Sequence, residues 1–340
     1  MDFTGGNVVR GLAGFYLIFD ELDSGNERDP NPAALRLPSG EFDVPIIFQD
    51  RRFDAAGGTA FNQFDPEGVI GDKIVVNGKI LPFHRVQPRK YRFRLLDGGP
   101  TRFYEFVLEY NGRIQPLQYI ANDGNLLPAP LSMSSVRLGP AERADVVVDF
   151  SRFPIGSRLY LRNRLEQKNA RGPTGTILSP GEAVIRFEVV KPLAAPDLSR
   201  VPATLRPLEP LEQIIAAATV NRAFRFKRDN GLWVVNNQLF DVTRPVARPR
   251  LGSTEIWEFE SNGNWSHPVH VHFEEGRIIS RNGRPPPPHE QGRKDVYVIP
   301  PDSKMKIVLR FRDFVGKYPT HCHNLVHEDH SMMFRWDIVP

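Results

Sequence analysis

The chain has 340 residues, 40% of them hydrophobic, enough for roughly two domains with cores of their own. Its 44 Lys and Arg against 40 Asp and Glu leave a formal net charge of +4, scattered and with no basic run interleaved with aromatics, so nucleic acid is not indicated as a partner. No stretch approaches the ~20 apolar residues of a membrane span, and the single cysteine, Cys322, excludes an internal disulfide without fixing a compartment.

The opening MDFTGGNVVRGLAG lacks the charged start, apolar centre and cleavage site of a signal peptide. Residues 11–19, GLAGFYLIF, read as one strand. A lone strand makes no domain, so it either joins the next unit's sheet or closes a domain absent from this sequence. Residues 21–40 are polar, contain proline and read as a connector, completing a short first piece over 1–40.

Residues 41–190 hold a dense set of strands. VVNGK offers a hairpin turn at Asn77 and Gly78, YRFRLL sets Tyr91, Phe93 and Leu95 opposite Arg92 and Arg94, and RADVVVDF reads as a further strand. Residues 191–213 carry Pro192, Pro196, Pro202, Pro207 and Pro210 and read as a linker, with LEQIIAAAT at 211–219 the best short helix candidate. Residues 214–340 form a second strand-rich unit. In it TEIWEFES, DVYVIP and KMKIVLRF alternate, the last with Met305, Ile307, Leu309 and Phe311 on one face. Period-two patterning with frequent turns predicts an all-β chain of tandem Greek-key β-sandwich or barrel domains.

Eight of the nine histidines lie in the last unit, most of them in HPVHVH (267–272) and HCHNLVHEDHSMM (321–333). Side chains at i and i+2 of a strand share a face, so His270 and His272 project together, as do His321 and His323, while Cys322 points the other way. Two sites back to back result. On one side Cys322, His327, a methionine and His267, which Pro268 sets off from the HxH pair, supply two His, one Cys and a weak Met, the ligand set of a blue-copper centre. On the other side stand four imidazoles.

Other readings of these residues fit less of the pattern. Structural zinc draws on several cysteines in close pairs, and a cysteine nucleophile would need neither the four further histidines nor the methionines. There is no nucleophile elbow for a hydrolase. His330 fits neither set and reads as a surface or neighbouring group, His289 as a loop residue and His84 as structural. Of Met332 and Met333, one is axial and the other packs in the core.

With HPVHVH and HCHNLVHEDHSMM, the chain resembles the third domain of a multicopper oxidase, closest to the branch of spore-coat laccase, bilirubin oxidase and phenoxazinone synthase. NGKILPF, RKYRFRLLDGGPTRFYEF, RLGPAERADVVVDF, LGSTEIWEFES and GRKDVYVIPP resemble that branch's second and third domains. The resemblance implies cupredoxin-like domains at 41–190 and 214–340. It implies type 1 copper ligands at His267, Cys322, His327 and Met332, a type 2 ligand at His270 and type 3 ligands at His272, His321 and His323. Glu328 matches an acidic residue that passes protons to dioxygen. Donors would be phenols, anilines or metal ions, in a periplasmic or secreted setting. The family's cluster takes eight histidines, four of them from two HxH motifs of the first domain. Before residue 267 this sequence has only His84, and its MDFTGG start resembles the end of the family's HDHAMDFTG motif, past the histidines. The expectation is a truncated multicopper oxidase with a complete type 1 site and a half-built cluster that a first domain or partner chain completes. The alternative is a non-catalytic copper carrier or structural relative.

Overall fold

The computed structural model describes residues 3–190, 192–193 and 195–340. Met1 and Asp2 of the first piece, and Lys191 and Ala194 of the proline-rich stretch, lie outside the described residues.

Two β-sandwiches follow one another. In the first, a seven-stranded sheet runs in the order Lys79–Ile80, Lys73–Val76, Asp43–Arg51, Lys90–Asp97, Arg143–Asp149, Leu117–Asn122, Asn125–Met133. It faces a six-stranded sheet built around Tyr104–Tyr110, Arg158–Leu165 and Ile177–Val189. Asn77 and Gly78 turn the first hairpin with φ of 46° and 81°, the left-handed pair a two-residue turn requires. Phe48, Phe93, Phe106, Phe150 and Phe187 fill the space between the sheets.

The second sandwich pairs a six-stranded sheet with a five-stranded one. The six-stranded order is Leu232–Val235, Val220–Asp229, Thr254–Asn262, Lys304–Arg310, Gly276–Arg281, Arg293–Lys294. The five-stranded order is Pro245–Ala247, Met333–Ile338, Gly316–Cys322, His267–Val271, Val296–Ile299. Alternation in KMKIVLRF aims Met305, Ile307, Leu309 and Phe311 inward, where they meet Trp257, Trp336, Cys322 and Met332. The helix foreseen in LEQIIAAAT spans Leu211–Ala216.

Of the two places expected for residues 11–19, the next unit's sheet is not taken: they join no strand among the described residues, and Leu12, Tyr16 and Ile18 are exposed, as suits a segment whose pairing edge belongs to a domain outside this sequence. Ahead of them Thr4–Val9 forms a short helix whose first amides, of Thr4 and Gly5, donate to the two Asp329 carboxylate oxygens at 2.8 and 2.9 Å. The polar stretch 21–40 is no free connector either. Leu35 and Leu37, with Leu205 from the proline-rich stretch, pack on Ile120, Leu126 and Val147 on the outer face of the seven-stranded sheet.

That cover changes Arg92 and Arg94, which alternation alone would put in water. Both are buried. Arg92 donates to Asp145 and, at 2.7 Å, to Asp23, and Arg94 forks onto Asp43 at 2.7 and 2.8 Å.

Candidate metal centre

Register builds the site. The strand His267–Val271 pairs antiparallel with Gly316–Cys322, placing Val269 opposite Cys322 and His270 opposite His321. Residues directly opposite share a face. His267, two before Val269, therefore falls on the Cys322 side, while His270 and His272 fall with His321. Pro268 stays in register, opposite Val298, so the odd spacing from 267 to 270 separates the two sets with no break at the proline.

On the core side the Cys322 sulfur lies 3.5 Å from His267 Nδ1 and 3.6 Å from His327 Nδ1, and all three ligand atoms fall within 4.8 Å of one another. Metal–sulfur and metal–nitrogen bonds of about 2.3 and about 2.05 Å, meeting at tetrahedral to trigonal angles, would give S···N edges of roughly 3.5–3.8 Å. The residues fit a metal ion, and one Cys with two His and a methionine fits copper better than structural zinc. Met332 is fully buried in the same core, and its carbonyl accepts the Cys322 amide at 3.0 Å. Met333 is also buried and opens the next strand, paired with His321.

Burial drives the His267 pKa down to about 3 and takes His327 well below the usual histidine range. Both rings are thus neutral and have a lone pair to offer. Burial pushes the Cys322 thiol up, so a metal must displace its proton. His267 Nε2 is buried without a hydrogen-bond partner among the described residues.

His327 is held by residues that local sequence did not flag. Its Nε2 lies 3.0 Å from the Glu67 carbonyl and 3.0 Å from Asn324 Nδ2, and its ring stacks on Trp233 with centroids 3.7 Å apart. Trp233 in turn donates through Nε1 to the Pro66 carbonyl. Gly68 allows the loop to close here: its φ is +109°, and a Cβ would meet the Asn324 amide at 2.9 Å. Glu67 itself is gripped by Arg171 at 3.1 Å.

On the opposite face His270, His272 and His321 bring ligand nitrogens within 4.8 Å, with His272 Nε2 and His321 Nε2 3.0 Å apart. His323 stands beside them, its ring 5.3 Å from that of His321 and its Nδ1 buried without a partner among the described residues. Burial lowers the pKa of His272 to about 3 and lowers those of His270 and His323 as well, leaving neutral rings. His270 Nδ1 lies 3.0 Å from the Asp295 carbonyl, which leaves Nε2 as its free lone pair. Glu328, buried on the helix Leu325–Asp329, puts Oε2 2.9 Å from His321 Nδ1. That is ion-pair distance but outside hydrogen-bond geometry, so both carboxylate oxygens lack a hydrogen-bond partner among the described residues.

The remaining candidates lie apart from both sets. His330 Nδ1 meets the Val326 carbonyl at 2.9 Å, His289 packs edge-on to Tyr119, and His84 sits between Tyr91 and Phe187 in the first sandwich. No helix of the described residues is long and apolar enough to cross a membrane.

Among known protein families, the sequence model of one described as "Multicopper oxidase" matches residues 209–340. The whole chain aligns with bilirubin oxidase of Albifimbria verrucaria at 37% identity, covering 59% of that protein. It aligns with a laccase of Bacillus stratosphericus at 33% identity, again over the whole chain, covering 70% of the laccase. The crystal structure of the multicopper oxidase McoA from Aquifex aeolicus superposes with a TM-score of 0.85 at 26% identity, over 99% of this chain and 74% of that one. The chain thus spans about six-tenths to three-quarters of the length of these relatives.

Proposed function

The chain belongs to the multicopper oxidase family, and on that premise we propose that it takes electrons one at a time from a small electron-rich donor and passes them toward dioxygen. Phenols, anilines or metal ions are the donor class. His267, Cys322, His327 and Met332 would hold a type 1 copper. His270 would serve a type 2 copper, and His272, His321 and His323 a type 3 pair. Copper, when bound, supplies the one-electron redox chemistry.

The chain's own residues supply the rest. Cys322 is joined by peptide bonds to His321 and His323, so a short covalent path connects the two ligand sets. Glu328 sits beside His321, placed to hold a proton at Oε2 for the oxygen side. Trp233, Asn324 and the Glu67 carbonyl fix the His327 ring and keep water from it.

The observation that carries the proposal is the triangle of Cys322, His267 and His327 at 3.5 and 3.6 Å, with the imidazoles of His270, His272, His321 and His323 gathered on the opposite face. Four cluster histidines are half of what the resemblance calls for. A first domain or a partner chain would contribute the others, and the 340 residues alone would bind type 1 copper without efficient dioxygen reduction.

Copper reconstitution tests both halves. An intense visible thiolate band that disappears in Cys322→Ser supports the type 1 site, and an unchanged spectrum in that variant rejects it. Sustained oxidation of a phenolic donor by the isolated chain would reject the half-cluster. The copper-carrier alternative is favoured by the same half set of histidines. It predicts a blue protein whose copper is not re-oxidised by dioxygen even when an HxH-bearing first domain is supplied.

A further inference from the structure

On the outer face of the six-stranded sheet of the second sandwich, Arg277 stands directly opposite Arg293 across an antiparallel pair. Side chains so placed have Cβ atoms about 4.5–5.5 Å apart, and like charges there oppose pairing. Arg277 also pairs with Val308, and Arg310 lies two residues further along that strand, on the same face. The inward alternates Ile278, Ile307 and Leu309 are buried in the core, so these arginines point away from it.

Among the described residues no carboxylate hydrogen-bonds to the opposed pair, although Glu209, Glu212 and Glu275 lie near enough to favour its charge. Arg277 spends its bonds on main-chain carbonyls, Glu209 at 2.7 Å and Gln291 at 3.1 and 3.2 Å, leaving one hydrogen on each terminal nitrogen for something else. Arg293 has only Glu275, at 3.6 Å, and its Nε is buried without a partner among the described residues. By contrast Arg310 is matched by Glu209 at 2.8 and 3.1 Å, and Arg312 lies 3.4 Å from Glu274. These four arginines and Arg206 line one cavity of about 280 Å³ together with Glu209 and Glu275; Arg206 is paired with Asp20, Arg310 with Glu209 and Arg312 with Glu274, which leaves Arg277 and Arg293 as the two guanidinium groups of the cleft without a carboxylate fork among the described residues.

We propose that this cleft is a binding site for a compact, multiply charged oxyanion whose oxygens bridge Arg277 and Arg293. Guanidinium forks fit phosphate and carboxylate oxygens, and a bridging anion turns the opposed pair from a repulsion into a clamp. The ligand is a phosphate, pyrophosphate or small polycarboxylate, held on the sheet opposite the one that carries the candidate copper ligands.

Calorimetric titration of the purified chain with inorganic phosphate, pyrophosphate and citrate, at fixed ionic strength, tests this. At least one anion should bind saturably with one-to-one stoichiometry. Arg277→Gln and Arg293→Gln should each weaken it about tenfold or more, the loss expected for one charge-assisted hydrogen-bonding group. Arg158→Gln, an exposed arginine of the first sandwich, should leave binding unchanged. Preference for the phosphates over citrate, or the reverse, assigns the ligand class. Because Arg293→Gln removes a like-charge contact, it should fold at least as well as the parent, yet its Tm should no longer rise with added anion. Absence of saturable binding by all three anions, or equal binding by the parent and both variants, overturns the site.

Discussion

Acid should unfold the metal-free protein through its buried ligand histidines, and His267 isolates the effect. In the fold its pKa is down to about 3 because burial disfavours the imidazolium, whereas in the unfolded chain the ordinary value is about 6.5. Below pH 6.5 the unfolded chain takes up a proton that the fold refuses, so stability falls as pH falls and levels off near pH 3. Each pH unit well inside that window amounts to about 1.4 kcal/mol; the unfolded histidine is already half protonated at pH 6.5, so going from pH 6.5 to 4.5 should remove about 2.3 kcal/mol through His267 alone. Buried carboxyls with raised pKa values, such as Asp50 and Asp97, push the other way, since the fold takes their protons first. They lie in the first sandwich and are common to parent and variant. His267→Phe puts an uncharged ring among Phe226 and Trp233, whose centroids lie 6.2 and 5.8 Å from the imidazole. Urea unfolding with a chelator present, at pH 6.5 and 4.5, should show the variant losing about 2.3 kcal/mol less than the parent between the two pH values. The absolute stability of the variant can move in either direction; equal losses in the two proteins would refute the reasoning.

Trp233→Ala should cost about 3–5 kcal/mol in urea unfolding, because the indole is fully buried and stacked on His327; a loss below about 1 kcal/mol would mean that the site collapses around the gap. Arg92→Met removes the hydrogen-bonded cation of Asp145 and Asp23, leaving Asp145 only Arg94 at 3.7 Å, and should destabilise by about 3–5 kcal/mol by the same assay, whereas a neutral outcome would place both carboxylates in water. Asp329→Ala frees the amides of Thr4 and Gly5. Their hydrogen exchange should accelerate about tenfold while global stability falls by only about 1 kcal/mol, and unchanged exchange would show that the helix docks without the carboxylate.

The inward faces of the strands could be read from period two alone, because a face packed against a second sheet tolerates only apolar side chains. Met305, Ile307, Leu309 and Phe311 show this plainly. The separation of Cys322 from His321 and His323 follows from the same rule. What the rule cannot give is the identity of the cover on an outer face. Arg92 and Arg94 occupy polar positions of their strand, yet Asp23 of the covering segment, 69 residues from Arg92 in sequence, closes over the pair that Asp43 and Asp145 flank from the neighbouring strands. Residues 11–19 have strand composition but meet no strand edge among the described residues, and strand formation is a property of two segments rather than one. The enclosure of His327 was equally illegible: the Glu67 carbonyl that meets it comes from 260 positions earlier and is a backbone atom, which no residue pattern can announce.

These long-range contacts also explain what the first sandwich does for a site whose side-chain candidates all lie in the second. Arg143 forks onto Asp295 at 2.6 and 2.7 Å, and Asp123 receives the amides of Asp295 and Val296 at 3.3 and 3.2 Å. Asp295 then presents its carbonyl to His270 Nδ1 on one side of the five-stranded sheet, while Glu67 presents its carbonyl to His327 Nε2 on the other. Each ring is thereby oriented by a backbone oxygen whose position the first sandwich sets. Register within the second sandwich decides which face a histidine occupies, since a one-residue slip would exchange the two sets. Orientation of the rings within each face depends on the neighbouring sandwich. The strands of HPVHVH and THCHN, excised from it, would keep the alternation of ligands and lose the alignment of their lone pairs.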